Sequence, residues 1–563
     1  MRKGCAAKRK AAKLALCQAR RYGRIARMIS AKPVVQELVA LMLEHGVTRA
    51  VLCPGSRNSP IVATLAEQQE VECRSVTDER SAGFVALGWA QQAQAPVAVV
   101  VTSGSAVLNL HPAVAEAFYR KTPLLVISAD RPAAWIGQND GQTLPQPGIF
   151  NTLVRFSAQV PEDDAWHANR LINEALLELR HRSGGPVHLN LPLSEPFFGM
   201  VEAELPPVRV IQRTEATRMN ADEEEALLDE IAVLPRRMIL LGQQEMPSPL
   251  LAKLAAEKQF AVVGEHIANA PFADCCRPDT LLGANPEADW SPDLLITCGG
   301  DVISKRLKKL LRSHPPKAHW HISADGEVVD SFGALTRVLE GDADEFWDLL
   351  EAFAEEGDED YRARWQSEPK PLPLDDDERS GMRWVGELMA NLPEGSVLHL
   401  GNSSAVRYAQ LFPLPAGVHK VLCNRGVNGI EGSVSTAAGY AMAEPERLHF
   451  LIIGDLSIFY DLNGLLQAQQ CPNLRILLLN NQEGGIFGTL PGMPDCPHIR
   501  APHGESIMGW GGCNLRSTQV VNTADWPAAL ELLLSPTPGA SIVEVYTETE
   551  QDAAILKDFY TNN

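Results

Sequence analysis

The segment GDLSIFYDLNGLLQAQQCPNLRILLLNN (454–481) holds two groups that together could do chemistry. One apolar run ends in Gly454-Asp455 and the next ends in Asn480-Asn481, with Asp455 and Asn481 26 residues apart. That spacing suits one helical crossover between neighbouring parallel strands. Both strand ends then lie side by side at one edge of a sheet. An aspartate carboxylate and an asparagine carbonyl are hard oxygen donors, suited to octahedral Mg²⁺ shared with phosphate oxygens. Either dipeptide alone would equally fit an ordinary βαβ unit with polar turns. A second candidate is Glu79 in TDERSAGFVALGWA (77–90), just after a short strand and at the head of an apolar helix. An acid there complements the helix dipole. A carboxyl group set against apolar surface can also share a proton with a ligand.

A third group is basic. PGSRNSP (54–60), SADRP (128–132) with GQTLPQPGIF (141–150), GGDVISKR (299–306), GNSSAVR (401–407) and NRGVNGIEGSVSTAAG (424–439) all follow or flank strands. Each brings an Arg or Lys beside Gly, Ser or Asn. Arginine grips carboxylates through its planar fork. One such residue is more often plain surface; five sets at corresponding strand ends imply a pocket for a polyanion.

These groups need elements to hold them. Residues 30–200 alternate helix and strand: helix 33–45, strand 49–55, helices 59–68 and 79–92, strand 95–104, helix 106–119, then strands 123–130 and 186–192. Continuous apolar strands separated by helices imply a parallel sheet covered on both faces. In such sheets ligands bind beyond the strands' carboxyl ends. The theme repeats in strands 237–243, 260–266, 294–301 and 319–325, and again in 396–402, 449–455, 474–481 and 541–547. The expected fold is therefore α/β, with three domains, each a mainly parallel sheet covered by helices. The boundaries fall at 29–203, 204–370 and 371–563. The middle domain has no GxGxxG, so no flavin or nicotinamide is expected there. The acidic, proline-containing stretch 355–378 reads as a linker or surface connection.

Bulk composition excludes several function classes. The chain has 563 residues and a formal net charge of −20, which argues against general nucleic-acid binding. An anionic substrate must then be drawn by a local basic cluster. No run approaches the ~18–20 apolar residues that span a bilayer, so stable membrane insertion is not expected. Eleven cysteines are scattered without a CxxC pair or zinc spacing, which fits reduced thiols in a cytoplasmic protein. The first 27 residues carry ten Lys/Arg and no acid. They lack the apolar core of a secretory signal. They read as a start placed too early, with Met28 the true start, or else as a basic tail or transit peptide.

These motifs, in this order and over nearly the whole chain after residue 30, resemble the 2-succinyl-5-enolpyruvyl-6-hydroxy-3-cyclohexene-1-carboxylate synthases of menaquinone biosynthesis. Those are thiamine-diphosphate-dependent transferases. The GDLS variant, the PGSR loop, the ADRP turn and NRGxxGIxGxxSTAAG jointly carry the likeness. It implies pyrimidine-binding, central and diphosphate-binding domains, and a homodimer or homotetramer with active sites between subunits. It implies thiamine diphosphate with Mg²⁺ (or Mn²⁺), which Asp455, Asn481 and the backbone carbonyl of Glu483 would ligate. Gly454, Leu456, Ser457 and Ser403 would border the cofactor. Glu79, the catalytic acid–base, would pair with the aminopyrimidine ring across the subunit interface. The substrates implied are 2-oxoglutarate and isochorismate. Ser56, Arg57, Arg131, Gln142, Lys305, Arg306, Arg407 and Arg425 would bind them. Ile430 matches the apolar wedge that bends the cofactor; Ile486, Phe487 and Leu490 match an apolar wall near the reacting carbon. All four equally fit plain core packing. Two departures stand out: the family-wide GDG is GDL here, and Glu483 replaces the commoner Gly. The alternative is another thiamine-dependent 2-oxoacid decarboxylase or ligase. The stretch after residue 490 carries no assignment.

Overall fold

The computed structural model describes residues 26–213, 221–256, 260–352, 357–369, 371–372, 374, 379–489, 493–494, 496–509, 515–535 and 539–562. Most of the basic leader, and Leu490, lie outside them. Three parallel sheets carry the chain. In the first, the spatial order is Glu72–Ser75, Arg49–Leu52, Val97–Val101, Leu124–Asp130, Val187–Pro192, Phe156–Gln159. In the second it is Ala261–Gly264, Arg237–Leu241, Leu294–Cys298, Ala318–Ser323, Arg337–Glu340. In the third it is Lys420–Cys423, Val397–Leu400, His449–Gly454, Leu474–Asn480, Ser541–Tyr546, Arg516–Val520. The central strands VAVVV (97–101) and LRILLLN (474–480) are buried along their whole length. Burial on both faces is what a continuous apolar run requires.

The first and third sheets share one topology. Numbering the strands of each sheet in chain order, both run 2-1-3-4-6-5. In each, the connections leave in opposite directions from the neighbouring strands 1 and 3. That point opens a crevice at the carboxyl edge. In the third sheet the crevice is flanked by Gly401-Asn402-Ser403 and by Gly454-Asp455; in the first, by the loop after Leu52 that carries Arg57.

Two expectations need correction. The helix expected over 106–119 is two helices, Ser105–Leu108 and His111–Tyr119. Pro112 lacks an N–H and so opens a helix rather than continuing one. The acidic stretch 355–378 is not simply a linker. Its residues Glu359–Trp365 form a helix, with Asp358 capping the N-terminus. Tyr361 and Trp365, one helical turn apart, are buried in the central domain, and Arg362 pairs with Asp274 at 3.0 Å. The first described strand is Arg27–Ser30. That strand pairs antiparallel with Met200–Ala203, and its Arg27 bonds Glu70 at 2.7 Å.

Candidate active site

The ends of the adjacent strands His449–Gly454 and Leu474–Asn480 bring Asp455 and Asn481 together. Asn481 Oδ1 lies 3.1 Å from Asp455 Oδ2 and 2.6 Å from the Glu483 carbonyl oxygen. Turned over, the amide would instead donate hydrogen bonds to both of those oxygens. With the amide oxygen inward, a carboxylate, an amide carbonyl and a backbone carbonyl converge on one point. Hard oxygens so placed fit a divalent cation such as Mg²⁺. With the amide turned over, the same atoms satisfy one another. Among the described residues no three His, Cys, Asp or Glu side chains gather as a metal centre, so a cation here would rely on this mixed set. Asp455 is 3% exposed, and burial pushes its carboxyl above the ordinary range. The Leu456 N–H, 2.7 Å from Oδ1, opposes that rise, as does His503, whose Nε2 lies 3.3 Å from Oδ2. A Cβ on Gly454 would meet nothing within 4 Å, so the space before this strand end is open.

Other expected residues gather at the same edge. Ser457 Oγ donates to the Ile430 carbonyl at 2.5 Å, tying the GDLS turn to the loop before helix Ser433–Ala443. Asp461 accepts from the Ser435 backbone N–H and hydroxyl, both at 2.7 Å; burial nonetheless raises its pKa to about 6. Ile486 and Phe487 are half-buried in the turn Gly485–Thr489 just beyond Glu483. Ser403 sits at φ +71°, an unusual conformation for serine, and its carbonyl accepts from Arg407 Nη1 at 2.6 Å.

Glu79 begins the helix Glu79–Ala93, which Asp78 caps through the N–H groups of Arg80 and Ser81. Within one chain this helix lies against Ser433–Ala443. A Cβ on Gly88 would come within 2.1 Å of the Thr436 carbonyl oxygen, and one on Gly439 within 2.3 Å of that of Val85. Asp78 Oδ2 also accepts from Asn463 Nδ2 at 2.6 Å. Yet Glu79 itself is only half-buried, and its carboxylate has no hydrogen-bond partner among the described residues. The apolar enclosure expected around it is not supplied by its own chain.

The basic residues fall into two groups. In the first domain, Arg57 is buried, lies 4.3 Å over the Phe197 ring and donates to the Leu193 carbonyl at 2.9 Å. Burial, and then the charge of Arg131, pull its guanidinium below the ordinary range. Arg131 pairs with Asp140 at 3.0 Å. Gln142 is exposed, and its backbone passes the turn at Gly104, where a Cβ would come within 3.2 Å. Ser56 is exposed too. In the second group, Lys305 and Arg306 open the helix Lys305–Ser313, capped by Ser304. Arg425, 6% exposed, is held by Asp301 and Asn402.

Sequence reasoning missed several residues here. His503 touches Asp455, and Arg500 Nη2 bonds Glu483 Oε1 at 2.5 Å. Both lie in the stretch left without assignment, where no spacing marks them. Glu116, Glu265 and Asp301 were also missed. Glu116 and Glu265 are lone acids in otherwise ordinary elements, and Asp301 lies within GGDVISKR, where the neighbouring Lys305 and Arg306 drew the reading instead.

A family model described as "Thiamine pyrophosphate enzyme, N-terminal TPP binding domain" matches residues 33–149. The chain is 48% identical over 556 residues to the 2-succinyl-5-enolpyruvyl-6-hydroxy-3-cyclohexene-1-carboxylate synthase of Bacteroides fragilis, covering 95% of this chain and 99% of the relative. It is 47% identical over 552 residues to the protein of the same name from Bacteroides thetaiotaomicron, again covering 95% and 99%. Among solved structures, the benzoylformate decarboxylase of Polynucleobacter necessarius superposes with a TM-score of 0.73 at 18% identity, over 92% of this chain and 98% of that one. That likeness shows the fold alone.

Proposed function

Because the chain belongs to the 2-succinyl-5-enolpyruvyl-6-hydroxy-3-cyclohexene-1-carboxylate synthase family, we propose that it decarboxylates 2-oxoglutarate and adds the remaining succinyl unit to isochorismate in a 1,4 sense, releasing CO₂. Bound thiamine diphosphate supplies the electron sink that lets CO₂ leave. The observation that carries the reading is the convergence of Asp455, Asn481 and the Glu483 carbonyl at neighbouring strand ends.

In this reading those three oxygens hold Mg²⁺ or Mn²⁺, which neutralises the diphosphate. Residues 29–203 form the pyrimidine-binding domain, 204–370 the central domain and 371–563 the diphosphate-binding domain. Gly454, Leu456, Ser457 and Ser403 line the crevice between them. Ile430, Ile486, Phe487 and Leu490 keep water from the reacting carbon. Ser56, Arg57, Arg131, Gln142, Lys305, Arg306, Arg407 and Arg425 bind and orient the substrate carboxylates, so that the reacting atoms meet in one geometry. Glu79 holds or releases a proton at its free carboxylate. Its half-exposed position in a single chain suits a partner group on a second copy, so the working form is a homodimer or a multiple of it. No helix among the described residues is long and apolar enough to cross a membrane, and the cytoplasm is the compartment proposed.

Thiamine diphosphate titrated into the protein, with binding read by intrinsic tryptophan fluorescence, tests the carrying observation. Binding should require Mg²⁺, and Asn481→Ala should need roughly 10–100-fold more Mg²⁺ to reach half-saturation. Equal binding by the variant, or binding unaffected by a chelator, would remove the metal assignment.

A further inference from the structure

The stretch Cys423–Val427 is gripped from all three sheets' domains. Arg120 Nη1 and Gln243 Nε2 donate to the Cys423 carbonyl at 2.8 and 2.6 Å. Arg425 donates Nε and Nη2 to Asp301 Oδ2 at 2.9 and 2.5 Å, and Nη1 to Asn402 Oδ1 at 3.0 Å. The two peptide N–H groups that follow go elsewhere. Gly426 donates to Glu116 Oε1 and Val427 to Glu116 Oε2, each at 2.9 Å.

Glu116 stands on the helix His111–Tyr119 of the first domain and is 1% exposed. A carboxylate is costly to bury unless its lone pairs are met. Here burial pushes the Glu116 carboxyl above the ordinary range, while the nearby cations of Arg120 and Arg425 and one backbone N–H to each oxygen work against that rise. Two N–H groups donating to the two oxygens of one carboxyl group are held in a single orientation. These bonds fix the two peptides immediately after Arg425, and so the direction in which its side chain leaves the backbone. Gly426 belongs to the same arrangement, since a Cβ there would come within 2.8 Å of Glu116 Oε2.

We propose that Glu116 is a positioning residue for substrate binding: from the first domain it clamps the turn after Arg425 and sets the aim of that guanidinium in the crevice of the third sheet. The inference rests on the reading of Arg425 as a ligand of a substrate carboxylate. A residue of the pyrimidine-binding domain would thereby shape the anion site of the diphosphate-binding domain within one chain. No motif in the first domain announces this role.

The test compares Glu116→Gln, Arg425→Gln and the double variant as holoenzymes, by steady-state kinetics with each substrate varied in turn. Glu116→Gln, whose amide nitrogen must face one of the two N–H groups, should raise KM for one substrate roughly tenfold, the loss expected for a hydrogen bond to a charged group, with kcat near that of the parent. Arg425→Gln should raise KM for the same substrate, and the double variant should be no worse than Arg425→Gln alone, as for residues that act as a unit. Glu116→Asp, which keeps the charge but withdraws it from the turn, is read in the same way if the glutamine variant does not fold. An unchanged KM in the Glu116 variants, or effects that multiply in the double variant, would overturn the proposal. An unchanged KM in Arg425→Gln would instead overturn the reading of Arg425 on which it stands.

Discussion

Asn480 and Asn481 are neighbours in sequence and opposite in use. Asn480 ends its strand facing inward, donating to Glu544 Oε1 at 2.7 Å and to the Glu505 carbonyl at 3.1 Å. Asn481, one step on, faces the crevice and Asp455. Side chains alternate across a strand, so one residue secures the sheet and the next serves the site. A second device recurs at this scale: buried carboxyl groups hold site loops by their backbone amides. Glu116 holds Gly426 and Val427, Asp461 holds Ser435, and Glu265 accepts from Ile303 at 2.5 Å and Ser304 at 2.7 Å, just before Lys305. Burial, reinforced by Asp279 and Asp301, pushes the Glu265 pKa up to about 8, against the two amides that lower it. A folded-state pKa above the unfolded one means that the folded chain binds the extra proton. Its stabilising effect is complete below the ordinary glutamate range and is lost as pH rises through about 8. The thermal midpoint of the parent should therefore fall relative to Glu265→Gln between about pH 5 and 8.5. Parallel midpoint curves for the two proteins would contradict this account of Glu265.

At the scale of elements, the helices Glu79–Ala93 and Ser433–Ala443 form the joint between the first and third domains. Their closeness depends on Gly88 and Gly439, each facing a carbonyl oxygen of the other helix. Gly439→Ala must push the pair apart, since a Cβ would lie 2.3 Å from backbone oxygen that cannot swing away. A loss of about 1–3 kcal/mol in chemical denaturation is expected, as for other overpacked contacts. A variant as stable as the parent would show that the joint is looser than it looks. The central strands were legible because continuous apolar runs leave few alternatives. Phe156–Gln159, Arg337–Glu340 and Arg516–Val520 were not. All three are edge strands, partly exposed: RVLE and RSTQV carry neither an apolar run nor strict alternation, and FSAQ alternates over only four residues. Edge strands are commonly short and polar, which protects the sheet from pairing with other chains and hides them from a reading based on hydrophobicity.

Across the whole molecule, two sheets of the same 2-1-3-4-6-5 order place two crevices at carboxyl edges. The third sheet's crevice takes the oxygen cluster, and the first sheet's edge carries Arg57 and Arg131. Asp455 and Asn481 could be read from sequence because both sit at the ends of recognisable strands at a spacing that a single crossover explains. Their partners could not. His503 reaches Asp455 from a stretch without regular pattern; from two other domains, Asp301 reaches Arg425 and Glu116 reaches Gly426 just after it. Such contacts are set by how domains dock, which local spacing does not encode. Glu79 is half-exposed and has no hydrogen-bond partner within its own chain among the described residues, the position that the proposed pairing with a second copy requires.

The most direct measurement combines the purified protein with thiamine diphosphate, Mg²⁺, 2-oxoglutarate and isochorismate, and follows isochorismate loss together with the mass of the product. The account predicts loss that requires every component, and a product whose mass is the sum of the two substrates minus CO₂. CO₂ release at full rate without isochorismate, and no adduct when it is present, would contradict it.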